Sequence, residues 1–221
     1  MKKLFKFQGF QLLVFILLLC LLWWYIDSSN LNNVPQFLGL RLYQWIWLSV
    51  ALALIHQSWV LFFWRLELHY NKISEIFGPS GFKLYSAGFA LFGLSRFLAI
   101  IPVAKLSANT IEIDRIWINF LILILSPIIL WTFYSVKVFF TVKRALGADH
   151  FFEAYRQMPL ETRGIFKYLP NAMYTGGLLI LYIPGLWLLS EFGLLFAFLH
   201  HLMVWTHYFC TEKPDMKVIY G

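Results

Sequence analysis

Charge is scarce in this chain, and acidic charge is scarcest. Asp, Glu, Lys and Arg make up 13% of its 221 residues, with 11 acids against 18 bases. A soluble domain of this size needs far more polar surface, so that class is excluded. Cysteine is nearly absent. Cys20 and Cys210 fall in separate apolar runs and imply neither a disulfide framework nor a metal site. There is no Gly-x-Gly-x-x-Gly after a strand, no phosphate-binding loop and no nucleophile elbow, so soluble nucleotide folds and serine hydrolases drop out. The net charge of +7 is spread between apolar runs and never forms a long basic block, which argues against nucleic acid. Pore-lining polar repeats and paired broken helices are missing too, and with them the usual marks of a channel or transporter.

What is abundant is apolar and aromatic: 60% of the residues are hydrophobic and 20% are Phe, Trp or Tyr. That composition describes an integral membrane protein with interfacial aromatic belts. The pattern predicts an all-α, polytopic helical bundle of about six transmembrane helices, over residues 10–26, 43–64, 84–104, 116–136, 172–189 and 192–210. Ser190-Glu191-Phe192-Gly193 is a short turn, so the last two spans form an antiparallel hairpin. The apolar run after Met1-Lys2-Lys3 ends in Trp23-Trp24-Tyr25 and not in small residues, which predicts a retained first helix and no cleaved signal peptide. Lys2, Lys3, Lys6, Arg65, Lys72, Lys83, Lys137, Lys143, Arg144, Arg156, Arg163, Lys167, Lys213 and Lys217 share one side. Only Arg41, Lys105 and Arg115 fall on the other, which places both termini in the cytoplasm.

We read residues 1–221 as one membrane domain: four N-terminal spans over 1–141, a cytoplasmic interfacial segment over 142–171, and a C-terminal hairpin and tail over 172–221. The interfacial segment mixes Phe151, Phe152 and Tyr155 with Lys143, Arg144 and Arg156, which predicts an interfacial helix and then a turn at Met158-Pro159. Polar groups inside apolar helices mark sites. In the last span His200, His207 and Thr211 share one helical stripe, and His201, Tyr208 and Glu212 share the next. Arg96 stands mid-span and needs a partner, with Glu67 and Glu191 as candidates. No pair of ligands has metal-binding spacing.

Two regions carry a resemblance. One is Arg65-x-Glu67 with Lys72-Ile73-Ser74 and Phe77-Gly78. The other is Leu146-Gly147, Phe166-x-x-Leu169-x-Asn171-x-Met173-Tyr174-x-Gly176 and Glu212-Lys213-Pro214. Together they resemble the phosphatidylethanolamine N-methyltransferase family, within the membrane methyltransferases that include the isoprenylcysteine carboxyl methyltransferases. The chain departs from that wider pattern at Pro170 and Ala172, at Thr211 and His207, and at Ser126-Pro127-Ile128, where the family carries Gly-x-Gly.

The resemblance implies S-adenosylmethionine as methyl donor and a membrane phospholipid amine as acceptor. The very short soluble portions and the Lys-rich start favour a bacterial inner membrane over endoplasmic reticulum. The resemblance assigns the cofactor to Asn171, Met173, Tyr174, Gly176, His207 and Glu212. Tyr174 would meet the nucleoside, Glu212 the cofactor's ammonium and His207 its carboxylate. It assigns Arg65 to the lipid phosphate and Glu67 to the amine, with Glu67 and Glu212 as catalytic groups. A prenylcysteine carboxylate or small thiol as acceptor, or a non-catalytic lipid-binding relative, are the alternatives this pattern leaves open.

Overall fold

The structure, a computed structural model, describes residues 2–29, 36–169 and 171–221. Among these the chain is helical and has no strand. Helix α1 is Gln8–Ser28, α2 is Leu42–Tyr70, α3 is Lys72–Leu106 and α4 is Arg115–Phe140, and these four are long and apolar enough to cross a membrane. Three shorter helical segments follow: α5 (Ala172–Trp187), α6 (Glu191–His207) and α7 (Lys213–Tyr220). Pro170 lies outside the described residues.

Each long helix shows which face meets lipid. In α1 the buried Gln11, Phe15 and Leu22 recur at helical spacing, while Phe10, Leu13, Leu17 and Leu21 stand more than half exposed on the other side. Such an apolar face is stable only against hydrocarbon. Helix α2 is the spine of the bundle. Its buried Ile46, Val50, Ala53, Gln57, Val60 and Trp64 step by three or four residues along its length. It stops at Asn71, whose left-handed backbone (φ 52°) lets its N–H close onto the Glu67 carbonyl at 2.9 Å.

Close packing without water depends on small residues. A Cβ at Gly88 would lie 2.3 Å from the Trp59 indole, so α3 approaches α2 there as nearly as backbone permits. Between α5 and α6 the Ser190 hydroxyl accepts from the Gly193 N–H at 2.8 Å and caps α6. A Cβ at Gly185 would sit 2.7 Å from the Leu194 nitrogen, which puts α5 directly on the first turn of α6. The main core joins Phe15 of α1, Ile46 and Val50 of α2, Val103 of α3 and Phe196 and Met203 of α6.

The segment after α4 departs from the expected interfacial helix. It folds as short turns, Val142–Ala145, Ala148–His150, Glu153–Arg156 and Gly164–Lys167. Positive φ angles at Thr141 (74°), Gly147 (84°) and Gly164 (60°) break any longer helix. Arg144 therefore turns inward: it pairs with Asp149 at 3.3 Å and donates to the Pro159 carbonyl at 2.8 Å. Residues 4–6, 65–67, 144–150 and 208–220 are thereby gathered at one end of the bundle.

Candidate functional site

The polar stripes of α6 organise that end. His200, fully buried, accepts from the Arg96 Nε at 2.9 Å through Nδ1, while its Nε2 lies 3.1 Å from the Ser49 hydroxyl. Arg96 also donates to the His200 carbonyl at 2.7 Å. Neither carboxylate expected beside Arg96 is there: Glu67 accepts from the Ser74 N–H and hydroxyl, and Glu191 from the Tyr25 hydroxyl. Two turns further along α6, His207 faces α1, its Nδ1 3.5 Å from the Gln11 amide nitrogen. Thr211 donates to the Gln11 amide oxygen at 3.3 Å. The neighbouring stripe points to α5, where His201 Nε2 lies 2.8 Å from the Tyr174 carbonyl oxygen.

Tyr174 and Glu212 form the centre. Asn171, at φ 52°, starts α5, and its carbonyl accepts from the Tyr174 N–H at 2.8 Å. The Tyr174 ring packs against Trp205 (5.9 Å between centroids) and Tyr208 (5.5 Å), which aims its hydroxyl at the Glu212 carboxylate. Glu212 lies in the π-turn Tyr208–Glu212 between α6 and α7. Burial is the main cause that raises its carboxyl to about 7, and the carboxylates of Asp215 and Asp149 add to the rise against the Tyr174 hydrogen bond. This acid changes charge near neutrality.

Two cavities meet at Met173 and Tyr174. The outer is a cleft of about 440 Å³ lined by Asn171, Glu212, Lys213, Lys217 and Tyr220, among others. The inner, about 220 Å³, reaches between α2, α3, α5 and α6, and His56, Gln57, Arg96 and His207 line it among apolar side chains. Of the six expected cofactor residues, Asn171, Met173, Tyr174 and Glu212 line the outer cleft and His207 only the inner cavity. Gly176 lines neither. A Cβ there would fall 2.5 Å from the Thr132 hydroxyl, so its role is to let α5 pack on α4.

The two residues expected to meet substrate line neither cavity. Arg65, 1% exposed, donates to Asp215 at 3.2 Å and to the carbonyls of Leu4, Lys6 and Cys210 at 2.8 to 2.9 Å. It ties the N-terminal segment to the start of α7. Glu67 is equally buried and fastens α2 to the start of α3 through Ser74. Sequence reasoning missed the wall of the cleft formed by Tyr220. Its hydroxyl donates to Asp149 at 2.6 Å and accepts from Arg144 at 2.8 Å. Burial first, and then Asp149, push that phenol up to about 12, so it remains a donor. The only sequence signal was Arg144, beside the Leu146-Gly147 pair. Among the described residues no group of three or more His, Cys, Asp or Glu is placed to hold a metal.

Comparison with curated proteins and with solved structures returns no match. Residues 115–221, which contain α4 to α7 and every residue lining the outer cleft, match the family model described as phospholipid methyltransferase. Over residues 115–221, just under half of its length, the chain is similar to the phospholipid methyltransferase family.

Proposed function

We propose that the protein transfers methyl groups from S-adenosylmethionine to the primary amine of phosphatidylethanolamine. We further propose that α5 and α6 cross the membrane as a pair, giving six spans with both chain ends in the cytoplasm. The observation that carries the reading is Tyr174, which lines both a charged cleft and a largely apolar cavity among the helices and pairs with Glu212 on the cleft side. A soluble cofactor suits the first compartment and a lipid the second.

The outer cleft fits the donor. Its volume of about 440 Å³ lies within the ~300–1,000 Å³ of small-molecule sites. Glu212 offers an anion for the cofactor's ammonium, Lys213 and Lys217 offer cations for its carboxylate, and Tyr208 and Phe166 offer apolar faces for its base. His207, on the inner side, passes from the cofactor to the acceptor in this assignment. When bound, S-adenosylmethionine supplies an electrophilic methyl on a sulfonium. The chain's own work is to position the nitrogen and deprive it of its proton. An alkylammonium has a pKa of about 10 in water. Apolar walls strip its hydration and lower that value, which frees the lone pair. Tyr174, on the shared wall, orients the nitrogen toward the cleft.

The test is methyl transfer from labelled S-adenosylmethionine into liposomes of phosphatidylethanolamine, with the Glu212→Gln protein alongside. Labelled N-methylated lipid is expected from the native chain. Loss of a charged hydrogen bond should weaken cofactor binding about 10- to 100-fold in the variant, read by calorimetry. Unchanged cofactor affinity would overturn the cleft assignment, and no label in any lipid would overturn the acceptor.

A further inference from the structure

The inner cavity contains a charge that the protein itself does not neutralise. Arg96 is 5% exposed, lies mid-span in α3 and lines the cavity wall. Its protein partners there are the imidazole nitrogen and the carbonyl of His200, both neutral acceptors. Among the described residues it forms no ion pair with a carboxylate. A buried cation without a counter-ion is costly, and proteins retain one where an anion comes to it. Beside it, polar atoms face the same space with no protein partner: both ring nitrogens of His56, the amide of Gln57 and Nε2 of His207. The remaining wall is apolar, with Val60, Phe89, Phe97, Leu178 and Leu181.

We infer that this cavity is a binding site for the phosphodiester of a membrane phospholipid, with Arg96 as its cation. The charges match one to one, since a phosphodiester carries a single negative charge and the cavity offers one guanidinium. Gln57 and the two histidines supply hydrogen bonds to the remaining phosphate oxygens and glycerol esters. The apolar walls take the first part of the acyl chains. The inference rests on the proposed function for the identity of the lipid as acceptor, but the site itself can be tested without turnover.

The experiment compares three probes on the full chain in detergent: phosphatidylcholine, diacylglycerol with the same acyl chains, and inorganic phosphate. Phosphatidylcholine bears the phosphodiester without a primary amine, so binding is read with no methylation. We expect it to be retained, diacylglycerol to bind at least tenfold more weakly, and Arg96→Gln to lose a similar factor for phosphatidylcholine while its affinity for S-adenosylmethionine is unchanged. Diacylglycerol bound as well as phosphatidylcholine by the native chain overturns the inference, and that comparison needs no variant to fold. Inorganic phosphate bound as tightly as the lipid overturns the lipid as source. Loss of S-adenosylmethionine binding in a folded Arg96→Gln protein shows that the anion is the cofactor's carboxylate, and also overturns it. Phosphodiester-dependent retention by a chain that methylates no lipid upholds the site and defeats the proposed function alone.

Discussion

Arginine at the end of a span ordinarily extends toward lipid phosphates, yet Arg65 folds back onto Asp215 and three backbone carbonyls. Its partner is 150 residues away, which no local pattern reveals. Asp215→Ala removes the counter-charge of a buried guanidinium, and should cost about 3–5 kcal/mol of stability. The drop in thermal unfolding temperature in detergent checks this, and a shift within error would show that the tie contributes little. Glu212 gives a different kind of prediction. Its raised carboxyl, about 7 against an ordinary 4.5, means that the fold favours the neutral acid. That contribution to stability is complete below the unfolded value and is lost as pH rises through about 7. Cofactor binding runs the opposite way, because an ammonium needs the carboxylate. Affinity for S-adenosylmethionine should therefore fall by up to about tenfold per unit as pH drops below 7, and Glu212→Gln should flatten the profile.

At the scale of elements, the stripes of α6 were legible because a 3.6-residue period is fixed by the helix itself. His200 and His207 turn to the bundle and His201 and Glu212 to α5, each with a partner. The connector from 142 to 171 was not legible, because its path depends on single residues with positive φ, Thr141 just before it and Gly147 and Gly164 within it. Two glycines there carry a structural demand that a side chain cannot meet. A Cβ at Gly147 would lie 2.5 Å from the Trp64 indole, and one at Gly164 would lie 2.6 Å from the Ser135 hydroxyl that receives the Ile165 N–H. Alanine at either should destabilise by more than about 1 kcal/mol, since both the φ angle and the contact oppose it. Gly164→Ala should also weaken cofactor binding, because the chain runs from there directly into the cleft residues. Unfolding and calorimetry on the same two proteins separate these effects.

For the whole molecule, composition alone identified helices in a membrane, because a hydrocarbon layer admits so few alternatives. The composite site was only partly legible. Asn171, Met173, Tyr174 and Glu212 do share a cleft, while Arg65 and Glu67 are held in joints of the scaffold; the Glu67–Ser74 joint is local, but the Arg65–Asp215 pairing lies outside any sequence window. The lysine and arginine asymmetry carries a prediction about orientation. In a background without Cys20 and Cys210, a cysteine at the exposed Glu112 should react with an impermeant thiol reagent from outside, and one at the exposed Gln157 should not. Reversed labelling would invert the bundle. The Arg65–Asp215 tie has a consequence for how the protein is made. Ribosomes add about 5–20 residues each second, so the guanidinium of α2 enters the bundle several seconds or more before residues 210–215 exist to receive it. Until then the cleft has no floor and the first helices hold an unmatched cation. A nascent chain stalled after α5 is thus a ready target for membrane quality control, and the outer cleft is complete only once residues 212–220 have been added.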